Sequence, residues 1–168
     1  MGPYKQLIVI ADRLPNSIHN KKINFIDELF FHMEGIDLLY TGLIPGPELE
    51  AAKLAKIKGT PYIATIPFKG YTKFWPKKYK DMHSHYSKKA TKLIHVDREP
   101  GYISTMSLPG NYAYEKIENH IKWNIDRIDL FEAPTKVIFY GKTFFTLKRS
   151  KTIYSLSSVS PDKWTLVE

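Results

Sequence analysis

The chain has 168 residues, with 25 Lys and Arg against 17 Asp and Glu for a formal net charge of +8, 43% hydrophobic residues and no cysteine. That length and apolar content suit one folded domain needing no metal or disulfide to hold it, and the missing cysteine excludes thiol catalysis, Cys-ligated zinc and a disulfide framework. No stretch approaches the roughly 18 apolar residues that cross a bilayer, and the apolar run Leu7–Ala11 is too short for a signal peptide, so a soluble cytoplasmic protein is expected.

Gln6–Ala11 is a short continuous apolar run, as a parallel strand buried on both faces requires. Lys22–Met33 places Ile23, Ile26, Phe30 and Met33 at helical spacing. Ile36–Tyr40 reads as the second strand and ends at Thr41-Gly42. Pro47 opens a helix through Lys58, with Leu49, Ala52, Leu54 and Ile57 apolar and Gly59 as its stop. Pro61–Ile66 is the third strand, a helix follows Pro76 to near Ala90, and Lys92–Val96 is the fourth strand. Asp97–Gly110 holds two prolines and two glycines and reads as a loop. Tyr112–Arg127 carries Ile117, Ile121 and Ile125 four apart, the mark of an amphipathic helix. Ile128–Phe131 and Val137–Tyr140 are strand-like, Lys142–Ser150 reads as a short helix, and Thr152–Leu156 as the last strand. Strands alternating with helices predict one α/β domain over residues 1–168, its mostly parallel sheet covered by helices on both faces.

Several segments, in order, carry a family likeness. Thr41-Gly-Leu-Ile-Pro-Gly-Pro-Glu-Leu-Glu-Ala-Ala52 joins a strand end to two glycines four apart and an acidic residue before Ala-Ala. Ile66-Pro-Phe68, Trp75-Pro76 and Tyr79 follow, then Lys116–Asp129 with Trp123, Asp126 and Asp129, then Gly141-Lys-Thr143. Together they resemble the YpsA-like branch of the SLOG nucleotide-binding superfamily, which implies a Rossmann-like fold. In such a fold a Gly-rich turn at a strand's carboxyl end offers backbone N–H groups to a phosphate. The resemblance assigns that turn to Gly42 and Gly46, with Arg13 and Glu48 beside it.

The departures from the family pattern point away from its chemistry. Ala11-Asp-Arg-Leu-Pro15 lacks the expected glycine, His120-Ile121 stands where an Arg-Asn pair belongs, and Pro47 removes a donor N–H from the turn. Glu48 and Asp126 are the acidic residues near positions suited to N-glycosidic chemistry. The expectation is a retained fold with no catalytic residues, no cofactor and no metal. His83 and His85, two apart on a helix, face different ways and do not make a metal pair.

The favoured reading is therefore an interaction protein. A small domain of this composition with an eroded site resembles a phage host-takeover protein on a borrowed fold. Arg127-Ile-Asp-Leu-Phe131 resembles the peptide by which bacterial proteins dock on the replicative sliding clamp, but it lacks the leading Gln and falls in a strand expected to be buried. Occlusion of the ring or its loading is therefore expected instead of peptide mimicry. The expected partner is the bacterial DNA polymerase III sliding clamp, whose loading on DNA it would block. Contact residues would be Glu48, Glu50, Tyr71, Phe74 and Trp75, with a homodimer matching the two-fold ring. One alternative is binding of a nucleotide or ADP-ribose-type ligand, or its N-glycosidic hydrolysis. The other is nucleic-acid binding, since the net charge favours polyanions and lysines mix with aromatics from Tyr71 to Lys80.

Overall fold

The computed structural model describes residues 4–11, 22–73, 75–102, 119–127, 134–140 and 163–167. Six strands, β1 Gln6–Ala11, β2 Leu38–Thr41, β3 Tyr62–Ile66, β4 Lys92–His95, β5 Thr135–Tyr140 and β6 Trp164–Val167, form one sheet in the order β4-β3-β2-β1-β5-β6. Every neighbouring pair is parallel. Parallel pairing needs a crossover between successive strands, and helices α1 Lys22–His32, α2 Pro47–Lys58 and α3 Lys77–Lys89 supply the first three. Residues 119–127 are helical and form α4, which precedes β5.

The register shows which side each helix covers. Leu39 pairs Leu7 and Tyr62, while Tyr40 pairs Ile8 and Ile63. Alternation along the strands then puts Leu39, Thr41, Tyr62 and Ala64 on one face, and Tyr40, Ile63 and Thr65 on the other. Thr41 bonds to α2 and the Tyr62 hydroxyl donates to the Tyr86 carbonyl of α3, whereas Thr65 meets His120 of α4. Helices thus cover both faces of a parallel sheet, as the alternating sequence pattern predicts.

Leu7, Ile8, Ile10 and Leu39 at the sheet centre are completely buried, and each such side chain contributes about 1.5–3 kcal/mol on leaving water. The α2 helix lies against the sheet through Ala51, Ala52 and Ala55, all buried, small enough to let the helix backbone approach closely. Its ends follow local rules. Pro47 occupies the first turn, where its missing N–H costs nothing. Gly59 adopts φ 73°, and the N–H groups of Thr60 and Gly59 donate to Ala55 O at 2.8 Å and Lys56 O at 3.3 Å, a Schellman closure.

Some boundaries move. The second strand covers Leu38–Thr41 instead of Ile36–Tyr40, and the fourth ends at His95 because Val96–Arg98 turn into a 3-10 segment. Strand β6 at Trp164–Val167 is an addition that the sequence reading lacks. The segments Ile128–Phe131, Lys142–Ser150 and Thr152–Leu156, and the first turns of the helix expected from Tyr112, lie outside the described residues, as do Arg13 and Phe74. Among the described residues, no helix is long and apolar enough to cross a membrane.

Candidate functional site

In open parallel sheets the ligand crevice lies beyond the strands' carboxyl ends, near the point where strand order reverses. Here the chain runs from β1 outward to β4 and then returns to place β5 on the other side of β1. The carboxyl end of β2, next to β1, carries Thr41-Gly42 and leads through a five-residue turn into α2. Within it Leu43 sits at φ 59° and Gly46 at φ 113°. Leu43 is buried in this left-handed conformation, which costs a non-glycine residue roughly 1–2 kcal/mol.

Side chains hold the turn shut. Thr41 Oγ1 donates to the Glu48 carbonyl at 2.6 Å and accepts from Leu43 N–H at 3.2 Å. Gly42 N–H donates to Glu48 Oε1 at 2.9 Å. Glu48 is only 1% exposed, so its carboxylate points inward from the first turn of α2, where the helix dipole favours a negative charge. Tyr71 covers the other side, its hydroxyl donating to the Gly42 carbonyl at 3.0 Å and lying 3.0 Å from His83 Nδ1. Trp75 packs edge-on to Tyr71 with ring centroids 5.1 Å apart. Burial pushes the His83 pKa down, against a smaller raising effect of a hydrogen bond to the Leu43 backbone.

The opposite face of the sheet contributes His120. Its Nε2 lies 2.8 Å from Thr65 Oγ1, and its carbonyl accepts from Asn124 Nδ2 at 2.8 Å. Burial lowers its pKa to about 4, so the ring is neutral at physiological pH. A Cβ built on Gly42 would lie 2.5 Å from Glu48 Oε1 and 2.9 Å from His120 Cε1. The carboxylate of α2 and the imidazole of α4, from opposite faces, therefore meet over the bare Cα of Gly42, and only glycine leaves them room.

Of the residues assigned from sequence to a remnant nucleotide turn, Gly42 and Glu48 come together. Gly46 lies just before α2 with no side-chain cap. The surface set requires correction: Glu48 and Tyr71 are buried, at 1% and 6% exposure, so neither can face a partner. Glu50 is ion-paired with Lys53 at 3.1 Å, and Trp75 is partly buried against the core. Asp126 accepts a hydrogen bond from the Tyr102 hydroxyl, away from the turn, while Trp123 is core, with the Arg127 guanidinium 4.8 Å from its ring centre.

The sequence reading noted Thr41, His83 and His120 without giving them a part in the site, and Thr65 it did not single out. The one available signal was a histidine beside the apolar stripe of its helix, because a buried polar group is more informative than a buried apolar one. Among the described residues, no three His, Asp or Glu side chains lie close enough together to hold a metal ion.

No family model matches the chain, and neither does any curated protein. Among solved structures the chain is similar to the X-ray structure of DNA processing protein A (DprA) from Streptococcus pneumoniae, at 15% identity and a TM-score of 0.42. The likeness covers 98% of this chain but only 58% of that one.

Proposed function

We propose that this chain is a SLOG-type domain that acts by binding and not by catalysis. The observation that carries the reading is the Gly42 N–H bond to Glu48 Oε1 at 2.9 Å. The backbone donor that a phosphate oxygen would use already serves the chain's own carboxylate. The neighbouring Leu43 N–H serves Thr41, and Pro47 has none to offer. An incoming phosphate would also have to displace the buried Glu48 side chain, and the neutral His120 offers it no positive charge.

On this reading the partner is a macromolecule. The sequence brings forward the bacterial DNA polymerase III sliding clamp, with blocked clamp loading and arrested host replication as the consequence. Thermal unfolding with 1 mM nucleoside mono- and diphosphates and ADP-ribose tests the first step. A ligand at 100 times its Kd stabilises by about 2.7 kcal/mol, which is about 5–10 °C for a chain of this length. A shift of that size overturns the proposal, and an unchanged Tm supports it. A pull-down from a low-GC bacterial lysate then tests the partner: stoichiometric clamp supports it, and clamp left in the flow-through removes it.

A second reading rests on the convergence of Glu48 and His120 on Gly42. A carboxylate and a neutral imidazole buried together are the components of acid–base chemistry, and would suit an N-glycosidic ligand admitted by movement of Tyr71. Nucleobase release from a nucleoside monophosphate, lost in Glu48→Gln, would favour this reading over the first.

A further inference from the structure

One span of the described residues carries a large surplus of positive charge. Residues 69–99 hold nine Lys and Arg against three Asp and Glu, a surplus of six out of the net +8. Within this span residues 69–80 contain Lys69, Lys73, Lys77, Lys78 and Lys80 and no acidic residue, and all five side chains are exposed. This segment runs from the carboxyl end of β3 into the first turn of α3. It therefore lies at the same end of the sheet as Gly42, which its own Tyr71 covers.

Folding does not account for this arrangement. The positive end of the α3 dipole meets Lys77, Lys78 and Lys80, and the first turn has no acid, so each ammonium is placed where a helix tolerates it least. Asp81 one turn on pairs with Lys77 at 2.7 Å, but both are well exposed, and such pairs add little stability. No residue of α3 is buried, so its outward lysines brace no core.

We infer that this segment, Lys69 to Lys80 at the mouth of the α3 helix, binds the phosphodiester backbone of a nucleic acid. Five exposed lysines with no acidic residue among residues 69–80 suit a partner recognised by charge density, and nucleic acid is the densest such polyanion. The half-buried Trp75 and Tyr79 rings within the patch offer flat edges beside the lysines. The inference is independent of whether the Gly42 turn is occupied.

Fluorescence anisotropy of the full chain with labelled 20-mer duplex and single-stranded DNA, from 50 to 200 mM salt, tests it. Five phosphate contacts predict a slope near −4.5 for duplex and affinity falling about 500-fold over that range, against about 12-fold for two contacts. The triple variant Lys77→Gln, Lys78→Gln, Lys80→Gln is expected to show the shallow slope. A control, Lys5→Gln, Lys58→Gln, Lys122→Gln, removes equal charge from other exposed positions and is expected to keep the steep one. All three removals relieve the α3 terminus, so the test variant should stay folded, and circular dichroism checks that it does. Absent binding at 50 mM salt overturns the inference, as does equal weakening in both variants. Tighter capture of polyglutamate or of phosphatidylserine vesicles than of DNA would also overturn it, by assigning the patch to an acidic protein or a membrane.

Discussion

Gly42→Ala is the most incisive test of how the two faces of the sheet are joined. The added methyl would stand 2.5 Å from Glu48 Oε1, 2.9 Å from His120 Cε1 and 3.3 Å from His120 Nε2. Backbone conformation is not the obstacle, since Gly42 is absent from the positive-φ glycines; the obstacle is space. Both neighbours are held by buried hydrogen bonds, so neither can step aside freely. Overpacking of this kind costs about 1–3 kcal/mol. Displacing Glu48 from the Gly42 N–H leaves a buried donor and carboxylate poorly served, which adds roughly 1–3 kcal/mol. A total of about 3 kcal/mol lowers the melting temperature by about 9 °C in a chain of this length. Urea unfolding of wild type, Gly42→Ala, Glu48→Ala and the double variant completes a thermodynamic cycle, in which coupling of about 1 kcal/mol or more is expected because the second change removes the first clash. A Gly42→Ala protein as stable as wild type, or two effects that simply add, would refute the argument that Glu48 lies packed over the glycine.

Two further outcomes follow from the same cluster. Thr41→Val keeps the shape but deletes the hydroxyl that donates to Glu48 O and accepts from Leu43 N–H, so urea unfolding should show a loss of about 1–3 kcal/mol, whereas an unchanged midpoint would mean the hydroxyl is dispensable. His120 has a folded pKa of about 4 against 6.5 for the unfolded chain, so its contribution to stability is fully present above pH 6.5 and is lost as pH falls through 6.5 toward 4. The loss amounts to about 3 kcal/mol; the stability gap between wild type and His120→Gln, followed by denaturant titration from pH 7.5 to 4, should shift by that amount in favour of the variant, and a gap that stays constant with pH sinks the assignment.

The sequence by itself determined what depends on neighbours along the chain. Pro47 at the start and Gly59 at φ 73° bound α2 at the residues the pattern predicts, because proline and glycine act through their own backbone. The unbroken apolar run of β1 announced a strand buried on both faces for a similar reason. The short strand Trp164–Val167 gave no such signal: four residues show no period, and only pairing with β5 makes them a strand. Tertiary structure alone decided the site. Glu48 looked like a surface acid on an amphipathic helix, and His120 like a departure from a motif. Their roles arise because α2 and α4 pack on opposite faces and reach the same strand end, where Gly42 leaves room between them. The Thr65–His120 pair lies 55 residues apart in sequence and Tyr71–Gly42 lies 29 apart. No local propensity encodes a contact of that range, because it exists only once parallel strands have paired and two helical layers have closed over them.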